Sequence, residues 1–158
     1  MDELDTKLLE LLSRDGRMPV GDMASSLGIT APTVRARIKN LEAAGILKIA
    51  GFIDPFRYEE MTIALIGLSI VSYGKLEEAM QKLERLDFVT WAAVVTGRYD
   101  VIVEVVFQGG MDALYRITSI EIPAIGGVVK SESFVIMKSF NKWVEMPRKR
   151  FARVEEST

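Results

Sequence analysis

The spacing of apolar positions changes rhythm near residue 54 and divides the chain in two. Before that point the period is helical. Over residues 2–14, Leu4, Leu8, Leu11 and Leu12 recur on one helix face, and Asp2, Glu3 and Asp5 suit the positive end of its dipole. Asp15-Gly16 ends this helix, with Gly16 suited to a left-handed cap. Residues 20–27 predict a second, short helix whose apolar side is Met23, Ala24 and Leu27. Gly28 then turns the chain, Thr30 is an N-cap, and a third helix runs over 31–44 to the stop at Gly45. Pro32 is tolerated because it falls in the first turn. Residues 46–53 are β-prone, and Asp54-Pro55 breaks them.

After the break the pattern predicts strands at 63–71, 89–96, 99–107 and 128–140, helices at 75–86 and 111–122, and a turn at Gly97-Arg98. The order βαββαβ is that of a ferredoxin-like sandwich, in which helices cover one face of an antiparallel sheet. The expected fold class is therefore α+β: an N-terminal helix-turn-helix domain over 1–53, a hinge at 54–61, a ferredoxin-like domain over 62–143 and a tail over 144–158. In the first strand both alternating sets are largely apolar, Ile63, Leu65 and Val71 on one and Ala64, Ile66, Leu68 and Ile70 on the other. A solvent-facing sheet alternates polar with apolar. Two helices can cover only one side, so the other calls for a partner, most simply a second copy. Trp91 and Trp143 read as packing residues.

In the third helix, Val34, Ile38 and Leu41 share a face. Arg35, Ala36 and Lys39 fall on or near the opposite face, Thr33 on a flank, and Arg37 closer to the apolar stripe. A recognition helix needs this division, with an apolar stripe against its supports and hydrogen-bonding residues outward. Arg35 is the candidate to reach a base edge, since its fork matches guanine bidentately. Thr33 and Lys39 suit either a base or a phosphate. Arg37, Ser25 and Ser26 suit the backbone of double-stranded DNA, and Thr30 joins them at the helix start.

Composition narrows the chemistry. The net charge of −2 excludes a generally basic nucleic-acid binder, so DNA contact must come from local clusters. One is Arg35, Arg37 and Lys39; the other is Lys142, Arg148, Lys149, Arg150 and Arg153. Cysteine and histidine are both absent, which removes disulfides, thiolate or imidazole metal sites and histidine-based triads. No cofactor and no metal is called for, and no paired carboxylates or nucleophile–base pair supports an enzyme. The longest largely apolar stretch, 63–71, is far short of the roughly 20 residues that span a membrane. The start lacks a basic leader region, so the expected setting is cytoplasmic. The competing reading is a module whose helix-turn-helix serves assembly or sensing rather than DNA.

Three strings, "LDTKLLELLSRDGR", "MASSLGITAPTVRARIKNLEAAGIL" and "FIDP", resemble the N-terminal domain of the Lrp/AsnC (feast/famine) transcriptional regulators. The second half resembles that family's regulatory domain, most specifically at "VTGRYDVIVEV", residues 95–105. The likeness covers roughly residues 2–143 in the correct order. It implies homodimers that pair further into octamers or similar assemblies. It also implies a small effector, often an amino acid, held between regulatory domains of neighbouring dimers. By the family's Gly-x-Tyr/Phe-Asp turn, Gly97, Tyr99 and Asp100 carry over as effector contacts. Arg98 stands where several relatives carry an acidic residue. Gly97 lets backbone approach a ligand, Asp100 suits an α-amino group, and a free backbone N–H suits a carboxylate. The same four residues also suit an ordinary hairpin turn, with Asp100 bonded to backbone.

Overall fold

The computed structural model describes residues 1–58 and 61–147, and it divides into two compact units, 1–50 and 51–158. The tail's Arg148, Lys149, Arg150 and Arg153 lie outside the described residues.

The first unit is three helices: α1 (Glu3–Arg14), α2 (Val20–Leu27) and α3 (Ala31–Ala43). A reciprocal capping box starts α1, with the Asp5 backbone N–H donating to Asp2 Oδ1 at 2.9 Å and the Asp2 N–H to Asp5 Oδ2 at 3.0 Å. Asp15, in extended conformation, ends α1, and Gly16 is not among the left-handed glycines. The glycine cap expected there is absent because Asp15 itself leaves the helix, its N–H still bonded to Leu11. Gly28 does take the left-handed cap of α2, at φ 66°. The core of the unit is Leu8, Leu12, Met23, Ala24, Val34 and Leu41, all buried, with Leu27 and Ile38 packed around it.

The second unit is a four-stranded antiparallel sheet of order β2-β3-β1-β4, made of β1 (Met61–Ile70), β2 (Val89–Val94), β3 (Val101–Gln108) and β4 (Val128–Val135). Between β1 and β2 a 3-10 turn at Tyr73–Lys75 leads into α4 (Leu76–Glu84). Between β3 and β4 the predicted single helix is α5 (Gly110–Arg116), a π turn at Ile117–Glu121, and α6 (Ile122–Ala124). The extra residue in that turn leaves both Ile117 and Ile122 buried. One face of the sheet, with Ala64, Ile66, Leu68, Val101, Val103, Val105 and Phe107, packs on Leu76, Ala79 and Leu83 of α4 and on Ala113, Leu114 and Ile117.

Two predicted strands change. Residues 46–53 form none: Ile46, Ile49 and Phe52 are exposed, and only Ile53 pairs, in an isolated antiparallel bridge with Val144. A β-prone segment without a neighbour to complete its hydrogen bonds stays irregular. The last strand stops at Val135, and the chain beyond it crosses the sheet's second face. There Val144 is buried with Ile63 and Val106, flanked by Ile53 and Ile136. Lys142 pairs with the buried Glu104 carboxylate, which also accepts from the Thr90 hydroxyl at 2.6 Å. The second face is thus partly covered by the chain's own C-terminal segment. Trp91 (43% exposed), Phe134 (46%) and Trp143 (57%) remain at the surface, so the packing role expected of both tryptophans is not met within one chain.

Candidate nucleic-acid interface and ligand turn

The outward side of α3 is set by what its other side buries. With Val34 and Leu41 enclosed and Ile38 half-buried, Thr33, Arg35, Ala36 and Lys39 are exposed, and so is Asn40, absent from the sequence-derived set. Thr30 caps the helix, accepting from the Thr33 N–H at 3.3 Å, and the two hydroxyls lie 2.8 Å apart. Ser25 and Ser26 are exposed on α2, where the Ser25 hydroxyl is already bonded to the Gly21 carbonyl at 3.0 Å. Both cap and crest therefore sit at the surface together.

Arg37, assigned above to the DNA backbone, points elsewhere. Its Nη1 lies 2.8 Å from Asp2 and 2.6 Å from Asp5, and its side chain is 24% exposed. The backbone N–H groups of the capping box, and then Arg37, hold both aspartates below the usual carboxylate range. A cleft of about 470 Å³ opens over this cluster, lined by Met1, Asp5, Thr33, Ala36 and Asn40.

In the second unit, Gly97, Arg98, Tyr99 and Asp100 form one turn. It is wider than the two-residue hairpin predicted, because β2 ends at Val94 and β3 begins at Val101. Gly97 has φ 124°, a conformation side chains rarely adopt. Asp100 ties the turn to the end of β1: its N–H donates to the Leu68 carbonyl at 2.9 Å, and its carboxylate accepts from the Ile70 N–H at 2.7 Å. The backbone-bonding role weighed for Asp100 is thus present.

Tyr99 lies flat on the second face of the sheet. A Cβ on Gly67 would meet three ring atoms at 2.6–2.8 Å, so only glycine leaves room beneath it. Phe134 meets the ring edge-on at 6.5 Å between centroids, and the Arg98 guanidinium stands 5.7 Å from the ring centre. The hydroxyl donates to Glu132, whose carboxylate is also 3.5 Å from Arg98. That bond lowers Glu132 and raises Tyr99 from their ordinary values. Gly67, Glu132 and Phe134 were not among the predicted site residues. Two carried a signal, a glycine inside an apolar strand and an acid within β4, but strand pairing alone brings them to Tyr99.

Residues 1–42 match the AsnC-type helix-turn-helix domain, and residues 63–143 match the Lrp/AsnC ligand binding domain. This chain belongs to the Lrp/AsnC family. As a member it is a helix-turn-helix transcriptional regulator that carries a ligand binding domain. It is 31% identical over 146 residues to an uncharacterized HTH-type transcriptional regulator of Pyrococcus furiosus, spanning 90% of this chain and 95% of that one. The structure of Escherichia coli AsnC is 27% identical, with a TM-score of 0.68, covering 88% of this chain and 93% of that one. The Lrp/AsnC fold recurs at 22% identity in a Neisseria meningitidis transcriptional regulator in complex with L-Met, with a TM-score of 0.71 over 93% of this chain and 96% of that one. Among the described residues no helix is long and apolar enough to cross a membrane.

Proposed function

We propose that α3 enters the major groove of an operator with Arg35, Ala36 and Lys39 on its crest and Thr33 on its flank. Arg35 reads a base edge, the small Ala36 lets the helix approach, and Lys39 takes a base or a phosphate. Ser26, Thr30 and Ser25 lie toward the DNA backbone. The observation that carries this reading is the clean division of α3 into a buried apolar stripe and an exposed crest beside its own capped start. Fluorescence anisotropy with the DNA upstream of its own gene tests it. Losing a bidentate base contact of about 1–3 kcal/mol should weaken binding by Arg35→Ala about 5- to 150-fold. Wild-type affinity in that variant would remove Arg35 from the groove.

The effector, on this reading, is an amino acid at the 97–100 turn. Its ammonium lies toward Asp100 and Glu132, and its carboxylate toward Arg98 and the turn's backbone. The L-Met complex of the Neisseria meningitidis relative supports this class of ligand. A ligand that binds only the folded form raises its apparent stability, so a thermal-shift screen of the twenty amino acids should single out a subset. A flat response to all twenty would count against the site. The regulator self-associates through the part of the second face that its own C-terminal segment leaves open, centred on Trp91 and Phe134. Pairing two recognition helices gives a weakly charged chain useful affinity for DNA.

A further inference from the structure

Arg37 is the one cation of the α3 cluster that does not face outward. A single nitrogen, Nη1, contacts both oxygens of Asp2 (2.8 and 2.9 Å) and one of Asp5 (2.6 Å). Its Nε is buried and has no hydrogen-bond partner among the described residues. The guanidinium is therefore committed inward and does not offer DNA the open fork that suits a phosphate. The two aspartates are the halves of the α1 capping box, so one side chain joins the start of α1 to the middle of α3. Asp5 also shares a cleft with Thr33, Ala36 and Asn40 of the exposed α3 surface. Without Arg37, two carboxylates would stand uncompensated beside the surface that must approach a polyanion. Like charges facing each other across such an interface oppose binding.

We propose that Arg37 is a positioning residue. It locks α3 to the capping box of α1 and cancels Asp2 and Asp5, so that the crest meets DNA without carboxylate repulsion. The inference rests on α3 being the DNA-facing helix, and it replaces a phosphate contact by Arg37 with an internal one.

The two roles separate by salt dependence and by rescue. The probe is a labelled duplex of about 30 base pairs of arbitrary sequence, long enough to accept the backbone contacts that dominate non-specific binding. Arg37→Met should bind it at least about five-fold more weakly than wild type at low salt. Salt screens carboxylate repulsion, so the deficit of Arg37→Met should shrink as salt rises. A lost phosphate contact lowers the slope of log affinity against log salt by about 0.9 whether or not the aspartates are present, so the wild-type slope should return in the triple variant if Arg37 touches no phosphate. Arg37→Met combined with Asp2→Asn and Asp5→Asn should recover to within about two-fold of wild type. Asparagine still caps a helix, which keeps the start of α1 intact in that variant. Circular dichroism melting establishes that each protein is folded at the assay temperature.

If Arg37→Met does not fold, the triple variant and Arg37→Lys, which keeps one positive charge, are read instead. Both should retain the wild-type slope. A slope lowered by about one contact with no recovery in the triple variant makes Arg37 a phosphate ligand and overturns the proposal. Unchanged affinity in Arg37→Met overturns it too, while leaving α3 as the interface. Failure of the wild type to bind any duplex overturns both.

Discussion

In the helical unit, Leu8, Met23 and Val34 are enclosed, and what faces outward is Arg35, Ala36 and Lys39. In the sheet unit, most of the enclosed residues lie on the α4–α5 side, and the other side shows Trp91, Phe134 and Trp143 to solvent. Three short helices close a small core on themselves and can finish with a polar surface. A four-stranded sheet has two faces, and α4 and α5 cover one. The second face here is covered in part by the segment that buries Val144 against Ile63 and Val106. The exposed side of α3 carries cations, whereas the open side of the sheet carries large apolar side chains.

The largest expected effect tests the closed cores. Phe107→Ala should cost the sheet unit about 3–5 kcal/mol and Leu8→Ala the helical unit about 2–5 kcal/mol, both read from urea unfolding. A loss below about 1 kcal/mol at either site would mean that its core is not closed as described. Next is the open face. Replacing Trp91 and Phe134 together by serine should weaken self-association at least about thirty-fold, the equivalent of about 2 kcal/mol from interface anchors. Sedimentation velocity over a dilution series measures it. An unchanged dissociation constant would turn the contrast between the two units into one of shape only.

Gly67→Ala comes third. The added methyl cannot share space with the Tyr99 ring, so it should cost about 1–3 kcal/mol. It should also release the Tyr99 hydroxyl from Glu132. Glu132 raises Tyr99 above its ordinary value, so this bond contributes stability below pH about 10, and the contribution is lost as pH climbs through the folded value. Tyrosine-selective NMR titration should show the Tyr99 value falling toward 10.0 in Gly67→Ala. No movement would mean that Gly67 does not seat the ring.

The smallest effect is at the acid end. Lys75 and Lys82 lower Glu78 from 4.5 to about 2, so its contribution is present above 4.5 and fades as pH falls toward 2. The pair contacts are half-exposed, so Glu78→Gln should flatten that part of the stability curve only slightly. A large change would mean that this surface network carries more of the sheet unit than its exposure allows.

Most of this architecture was legible in local pattern. Three apolar positions and a following glycine mark residues 20–27 as α2, and the changes of period give βαββαβ. Features that depend on a distant partner were not legible. Residues 46–53 have strand composition but only Ile53 finds a partner, and that partner is Val144. Helical spacing sets Arg37 closer to the apolar stripe than Arg35 and Lys39, but nothing local shows that Asp2 and Asp5 fold against it. A motif marks the 97–100 turn, whereas Gly67 reaches it only through the β1–β3 register and Glu132 only through the β1–β4 register.

Phe134 stands with its ring against Tyr99 and also belongs to the open face. On the proposed reading, an effector seated at the turn and a second copy seated on the sheet would both meet this one side chain. Reciprocity of free energies then fixes their relation: the factor by which an effector changes subunit affinity equals the factor by which assembly changes effector affinity.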